Sequence, residues 1–349
     1  MKIAVIGFSG FPVLPKANNY LQEYTYHLIK GLVDLGYEVT YFGLYGSKLP
    51  CEVYPLNLNS IDWSYDENVS DGFKQFGEEQ HSYFEIFKYL QETDFDLVHN
   101  ISQNQIPVFT AQFLEIPTIT TLFKRPQGLL QSALKLNQTS NNFYIAIDHA
   151  IANACTGHSK IDDIIYCGID YNAWSFNLKP QSNTLFFAGD IVAENHIENI
   201  IEAAEDGGFQ LAVYGDVINS DYHEKVVVPK VNDKIKVYTS LKENNYKQCL
   251  QNASLAVITK KIFMSSSYLV LEAFSCGTPV VIISDNLNTD YLPNSCSIQV
   301  NTSDPQELRR AFVNAASKSR KTCREYVMEK FDYKKMIESY IDFYNRVLY

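Results

Sequence analysis

Short apolar runs recur along this chain, each separated from the next by a stretch of helical periodicity. Lys2 to Ile6 is the first such run. After a loop, Tyr20 to Leu35 sets Tyr24, Leu28, Leu32 and Leu35 at helical spacing, and Gly36 supplies a stop of the kind helix C-termini favour. Val39-Thr40-Tyr41-Phe42 is β-branched and aromatic, as strands are. A strand, a helix and a strand at this spacing make a βαβ unit, and such a crossover joins parallel strands. The pattern returns with Leu97-Val98-His99 behind Asp94-Phe95-Asp96, a helix closed by Ala111 to Leu114, a strand over Pro117 to Leu122 and another over Tyr144 to Ile147.

A second series starts at Leu185-Phe186-Phe187-Ala188-Gly189. It continues through Leu211 to Gly215, Ile235 to Tyr238, Leu255 to Ile258 and Pro279 to Ile283, with helices such as Ile197 to Ala204 and Tyr268 to Cys276 between them. The polar segment Ser175 to Asn183, with Pro180, reads as the linker. The expected fold is therefore α/β, with two Rossmann-like domains facing each other across a cleft and ligands beyond the C-terminal strand ends. The stretch Asp66 to His81, rich in Asp, Glu, Gln, Gly and Ser, reads as a mobile surface loop, with a partner or acceptor contact as the alternative.

Composition narrows the function. A length of 349 residues suits two domains of ordinary size, and 46% hydrophobic content lets each bury a core. The net charge of -11 argues against nucleic acid as the main partner, because a polyanion needs a basic surface. No apolar run is long enough to span a bilayer, so any membrane association is expected to be peripheral at most. Met1 to Gly7 is too short an apolar run for a signal peptide and reads as a buried strand. The seven cysteines are odd in number, scattered and without a C-x-x-C pair, so neither a zinc site nor a disulfide framework is expected, and a reducing cytoplasm is. No Ser–His–Asp arrangement, zincin pattern or P-loop is present.

One segment narrows it further. Leu271-Glu272-Ala273-Phe274-Ser275-Cys276-Gly277-Thr278-Pro279-Val280-Val281 resembles the LEAMACGTPVV segment of family 4 retaining glycosyltransferases, which have the GT-B architecture. Other landmarks of that family follow in order. Cys167-Gly168-Ile169-Asp170 resembles its NGVD turn, Ala188-Gly189-Asp190 occupies the place of its GR, and Lys330-Phe331-Asp332-Tyr333 through Tyr344 resembles its C-terminal helices. Pro12 to Pro15 and Tyr41-Phe42-Gly43 are similar to the opening of the branch that includes antibiotic-tailoring enzymes. The resemblance implies domains over residues 1–178 (acceptor side) and 179–330 (donor side), with 331–349 as a helix crossing back to the first.

The family holds a nucleoside diphosphate sugar mainly against its second domain. The resemblance gives Glu272 the ribose hydroxyls. The chemistry of the position agrees, because a carboxylate one turn into a helix accepts from two adjacent hydroxyls, while the helix start attracts a diphosphate. A purely electrostatic role of Glu272 near the helix start is the alternative. Ser265, Ser266 and Ser267 precede that helix as a phosphate cradle, and Gly189 and Tyr268 complete the expected nucleotide-sugar contacts. His99, ending its strand, resembles a family histidine and is expected to face the cleft, against the alternative of a structural histidine.

Four positions and one stretch depart from the family. The glutamate that contacts the donor sugar falls on Met264, and the basic pair on the diphosphate falls on Asp190 and Asn195. The first-domain histidine falls on Phe123, and the glycine-rich stretch reads Lys16-Ala17-Asn18-Asn19. An aspartate where a pyrophosphate sits repels it. Lys260 and Lys261, or Lys124 and Arg125, are candidates to replace the lost cations, with Lys260, Lys261 and His99 also the candidate catalytic groups; solvated surface is the plainer reading of each basic pair. The expectation is a sugar transferase with retention, using a nucleoside diphosphate sugar as substrate, no cofactor and no metal. Its acceptor is a glycan, a lipid-linked sugar or a small molecule. The alternative is a catalytically inactive GT-B module that acts as a binding subunit or serves a protein partner.

Overall fold

The computed structural model describes residues 1–15, 19–64, 68–137, 139–239, 245–259, 264–284 and 292–349, with the backbone alone for 264–267. The chain divides into two compact units, Met1–Cys167 with Tyr333–Tyr349, and Gly168–Asp332.

Unit 1 is built on a seven-stranded sheet in the order β3-β2-β1-β4-β5-β6-β7. The strands are β1 (Lys2–Ile6), β2 (Glu38–Gly43), β3 (Glu52–Pro55), β4 (Leu97–Asn100), β5 (Thr118–Leu122), β6 (Asn142–Ala146) and β7 (Asp163–Ile164). All are parallel; Ile3 pairs with Val39 on one side and Leu97 on the other, so the strand order reverses direction between β1 and β4. Every residue of β4 and β5 is buried, as expected of strands covered on both faces. The helices are α1 (Tyr20–Asp34), α2 (Asp71–Gln91), α3 (Gln105–Thr110), α4 (Gly128–Leu136), α5 (His149–Ala154) and, from the far end of the chain, α12 (Tyr333–Leu348). Asn19 caps α1 by accepting from the Gln22 amide at 3.0 Å. Gly31 lets α12 press against α1, since a Cβ there would lie 2.5 Å from Ile337 Cγ1.

Residues 71–81, expected as a loop, form the first half of α2 instead. Polar and glycine-rich composition hid a helical face, because Glu78, Ser82, Tyr83, Ile86 and Leu90 are buried along it. Ser70 caps the helix through the Phe73 amide. The Glu78 carboxylate accepts from the Ser60 amide at 2.8 Å and from Trp63 Nε1 at 2.7 Å, tying the preceding loop to the helix. The expectation for residues 65–67 lies outside the described residues.

Unit 2 carries a six-stranded parallel sheet in the order β10-β9-β8-β11-β12-β13. Its strands are β8 (Thr184–Ala188), β9 (Gln210–Tyr214), β10 (Ile235–Tyr238), β11 (Leu255–Thr259), β12 (Val280–Ile283) and β13 (Ser297–Val300). Its helices are α6 (Ile197–Asp206), the short α7 (Ser220–Tyr222), α8 (Tyr246–Asn252), α9 (Met264–Ser275), α10 (Pro305–Ala316) and α11 (Arg320–Lys330). One sheet face, with Phe187, Leu211, Val213, Val257 and Val281, packs on Ile197, Ile200 and Ile201 of α6 and Leu308 and Phe312 of α10. Phe186 and Tyr214 meet Tyr246 of α8.

Both expected domain boundaries move. Residues 168–183, placed partly in the first domain and partly in a linker, belong to unit 2: Trp174 is buried, and the Asn177 amide donates to Cys276 O at 3.2 Å. Phe331 and Asp332 stay there too, because Ile169 donates to Phe331 O at 2.8 Å and forms a parallel bridge with Asp332. The polarity of Ser175 to Asn183 gave no hint that its backbone is held from below. Among the described residues no helix is long and apolar enough to cross a membrane.

Candidate functional site

In unit 2, α9 follows β11, so it begins at the carboxyl edge of the sheet, where ligands of such sheets bind. Ser265 to Ser267, expected ahead of the helix, fall in its first turn, and Glu272, expected one turn in, stands more than two turns in. Glu272 is buried at 5% exposure, and its Oε2 accepts from Tyr246 Oη at 2.7 Å. Tyr246 is itself fixed by edge-on contacts with Phe186 at 5.2 Å, Tyr214 at 5.6 Å and Trp174 at 6.4 Å. Tyr214 in turn stacks on Phe186 and, at 4.4 Å, on Tyr238. The carboxylate is thus aimed by a phenol whose ring is held by aromatic packing.

Below Glu272 the helix ends in a Schellman motif. Thr278 N donates to Ala273 O at 2.7 Å and Gly277 N to Phe274 O at 2.8 Å, with Gly277 at φ +80°. A Cβ on Gly277 would lie 2.6 Å from the Phe176 ring, so a residue with a side chain is excluded by space as well as by backbone conformation. Tyr268, expected as a nucleotide-sugar contact, is fully buried and donates to Gly168 O at 3.1 Å. It anchors α9 and presents no surface to a ligand.

The loop after β8 has a different character. Gly189 N donates to Tyr214 O at 3.0 Å, and Ile191 N to Asp216 O at 2.9 Å. The two strand ends approach so closely that a Cβ on Gly215 would lie 1.9 Å from Gly189 O. Asn195, where the resemblance places a phosphate-binding lysine, is 3% exposed. Its Nδ2 donates to Asp190 O at 2.6 Å and its Oδ1 accepts from Thr259 Oγ1 at 2.9 Å. A neutral amide therefore closes the loop onto β11 with both ends of the group occupied. The Asp190 side chain is exposed beside it, an acidic residue where the resemblance places an arginine.

Three of the remaining candidates, His99, Lys124 and Arg125, belong to unit 1. His99, in unit 1, is fully buried. Its Nε2 lies 2.8 Å from Thr121 Oγ1 and its Nδ1 2.7 Å from Tyr344 Oη. Burial drives its pKa down to about 3, so it is neutral at ordinary pH. The expectation that it faces a ligand is corrected, because sealed walls and two occupied nitrogens make it a structural histidine. Phe123 fills core beside Tyr24 at 4.7 Å, edge to face. Lys124 and Arg125 are exposed on unit 1. Lys260 and Lys261 lie outside the described residues, as do the side chains of Met264, Ser265, Ser266 and Ser267. Among the described residues no group of three His, Cys, Asp or Glu side chains is placed to hold a metal.

Sequence reasoning singled out Glu272 and missed Tyr246, Arg320 and Arg324. Tyr246 carries no motif; its signal is an aromatic at the start of a short helix, which many core positions share.

Residues 169–327 match the family described as Glycosyl transferases group 1. No curated protein sequence matches the chain. Among solved structures, the chain is similar to AviGT4, a glycosyltransferase involved in avilamycin A biosynthesis, at 17% identity and TM-score 0.68, covering 99% of this chain and 98% of that one. It is also similar to HepE of Anabaena in complex with UDP and glucose, at 13% identity and TM-score 0.70 with 98% of each chain covered. The catalytic domain of starch synthase IV from Arabidopsis thaliana, bound to ADP and acarbose, matches at 13% identity and TM-score 0.67 with 99% of each chain covered. At these identities the likeness shows the fold, which is the GT-B fold of glycosyltransferases.

Proposed function

We propose that this protein is a glycosyltransferase that takes a sugar from a nucleoside diphosphate sugar and transfers it, with retention, to a hydroxyl-bearing acceptor. The observation that carries the reading is Glu272, buried on α9 within the family-matched segment and aimed by Tyr246. A carboxylate so placed accepts from the two vicinal hydroxyls of a ribose, and the fixed geometry removes the ordering cost of binding. The similar structures of HepE and starch synthase IV hold UDP and ADP respectively, which supports a nucleotide as the ligand class.

The second reading, a GT-B module without turnover, is favoured by one observation, the Asn195 amide. A departing diphosphate gathers negative charge in the transition state and needs cations there. At Asn195 the chain offers a neutral group already engaged within the protein. Calorimetric titration with UDP, GDP, ADP and dTDP and their sugar conjugates separates the readings. Micromolar binding followed by transfer of labelled sugar supports the first, and binding without transfer or hydrolysis supports the second. A folded protein that binds none of them overturns the first reading and leaves the module without turnover as a partner subunit.

A further inference from the structure

We infer that Arg320 is a positioning residue for the candidate nucleotide site: it clamps the ends of α8 and α9 together and thereby holds Tyr246 and Glu272 in register. The inference rests on the reading of Glu272 given above.

Arg320 opens α11, where Ser319 caps the helix, and its side chain turns inward to 7% exposure. Its guanidinium meets four backbone carbonyls and one hydroxyl. Nη1 donates to Ala253 O at 2.7 Å; Nη2 donates to Gln251 O at 2.8 Å, Cys276 O at 3.2 Å and Thr278 Oγ1 at 3.0 Å; Nε donates to Asn177 O. None of these five partners is a carboxylate. Burial lowers its pKa to about 10, which leaves it cationic at neutral pH.

The choice of carbonyls is informative. Gln251 lies in the last turn of α8, and Cys276 directly follows α9. Carbonyls at helix C-termini lack intrahelical donors and carry the negative end of the helix dipole. One planar fork therefore caps two helices at once. Thr278 ties them a second time, its Oγ1 donating to Leu250 O at 2.9 Å while accepting from Arg320. Tyr246 stands at the start of α8, and Glu272 one turn before the capped end of α9, so the same clamp carries both partners of the 2.7 Å hydrogen bond.

Arg324, one turn further along α11, reinforces the arrangement. Its Nη1 donates to Tyr171 O at 2.8 Å, to Trp174 O at 3.3 Å and to Ser275 O. Trp174 is the ring that packs on Tyr246. A lysine at 320 would keep the charge but not the fork, because an ammonium offers three donors from one point and cannot span segments that lie on different sides of a guanidinium.

The test compares wild type, Arg320→Lys, Glu272→Gln and the double variant by calorimetric titration with UDP, GDP, ADP and dTDP, and by amide hydrogen exchange. Arg320→Lys is expected to weaken the bound nucleotide by roughly tenfold to hundredfold, as small misplacements of a binding group do. It should also speed exchange in α8 and the last turn of α9 while leaving α6 and α10 unchanged. In the Glu272→Gln background its effect on affinity should largely vanish, since both changes act through one contact. Unchanged affinity in Arg320→Lys, with Glu272→Gln weakened, overturns the positioning role and leaves the reading of Glu272 standing. Unchanged affinity in Glu272→Gln, or no binding by folded wild type, overturns the reading of Glu272 and the inference with it. If Arg320→Lys does not fold, Thr278→Val removes only the shared hydroxyl; a loss of about fivefold in affinity supports the clamp, and no loss overturns it.

Discussion

The loop after β8 and the helix after β11 follow strands that pair with each other, so both arrive at the same edge of one sheet. At α9 a charged group is preserved and backed by protein, since Glu272 is aimed by Tyr246, which is packed by three rings. At the β8 loop the basic pair of the resemblance is replaced by Asp190 and Asn195, and Asn195 engages both ends of its amide with the Asp190 carbonyl and Thr259. On the proposed reading one corner of the site receives the ligand, while the other is engaged in internal structure. The two corners can diverge because they depend on different supports: α9 is held from its C-terminal end, the loop by its own side chain.

That contrast can be broken experimentally. The largest effect is expected from Glu272→Ala, which should weaken nucleotide binding by about a hundredfold, the scale of a charged hydrogen bond pair; calorimetry checks it, and an unaltered affinity removes Glu272 from the site. Asp190→Arg should act in the opposite direction. The Asn195 bond uses the backbone oxygen of residue 190, so the side chain can be exchanged without opening the loop, and affinity for a nucleoside diphosphate should rise by roughly tenfold. If affinity for the diphosphate and the bare nucleoside rises equally, or neither rises, the diphosphate does not lie at this corner.

Asn195→Ala sharpens the other side of the comparison. It should cost about 1–2 kcal/mol in denaturant unfolding, because a buried carbonyl and a hydroxyl lose their partner, while nucleotide affinity stays as it was. The last effect lies outside the site and leaves nucleotide binding at neutral pH untouched. Buried neutral, His99 binds its proton near pH 3 in the folded chain but near its ordinary 6.5 when unfolded. Its contribution to stability is therefore complete above pH 6.5 and lost as pH falls from there towards 3, at up to about 1.4 kcal/mol per pH unit. His99→Gln should flatten that part of the stability–pH curve without altering nucleotide binding at neutral pH. A slope that persists in the variant assigns it to other groups.

Much of the fold was legible because parallel strands buried on both faces are mostly apolar, and runs such as Ile3 to Ile6 or Val280 to Ile283 leave few alternatives. Glu272 was legible because a motif surrounds it. Other features left no mark in the sequence for physical reasons. Arg320 draws four of its five bonds from backbone carbonyls, which every residue possesses, so no residue type at 177, 251, 253 or 276 betrays the contact. The helix over 71–81 was hidden because one of its inward positions is Glu78, a charged residue satisfied by the backbone of 60–61 and by Trp63. His99 could be read either way, since a histidine at a strand's end looks the same whether its partners are a ligand or Thr121 and Tyr344.

The placement of α12 has a consequence for how the protein is made. Unit 2 occupies a continuous stretch, Gly168–Asp332, whereas unit 1 is completed only by Tyr333–Tyr349. Tyr340 and Tyr344 supply the hydroxyls that meet Tyr24, Thr121 and His99 in the middle of unit 1. During vectorial synthesis, then, the half that emerges first lacks the helix that fills it, while the half that emerges second has all its residues before that helix is made. A released chain that stops before residue 333 would hold every residue of unit 2 beside an incomplete unit 1.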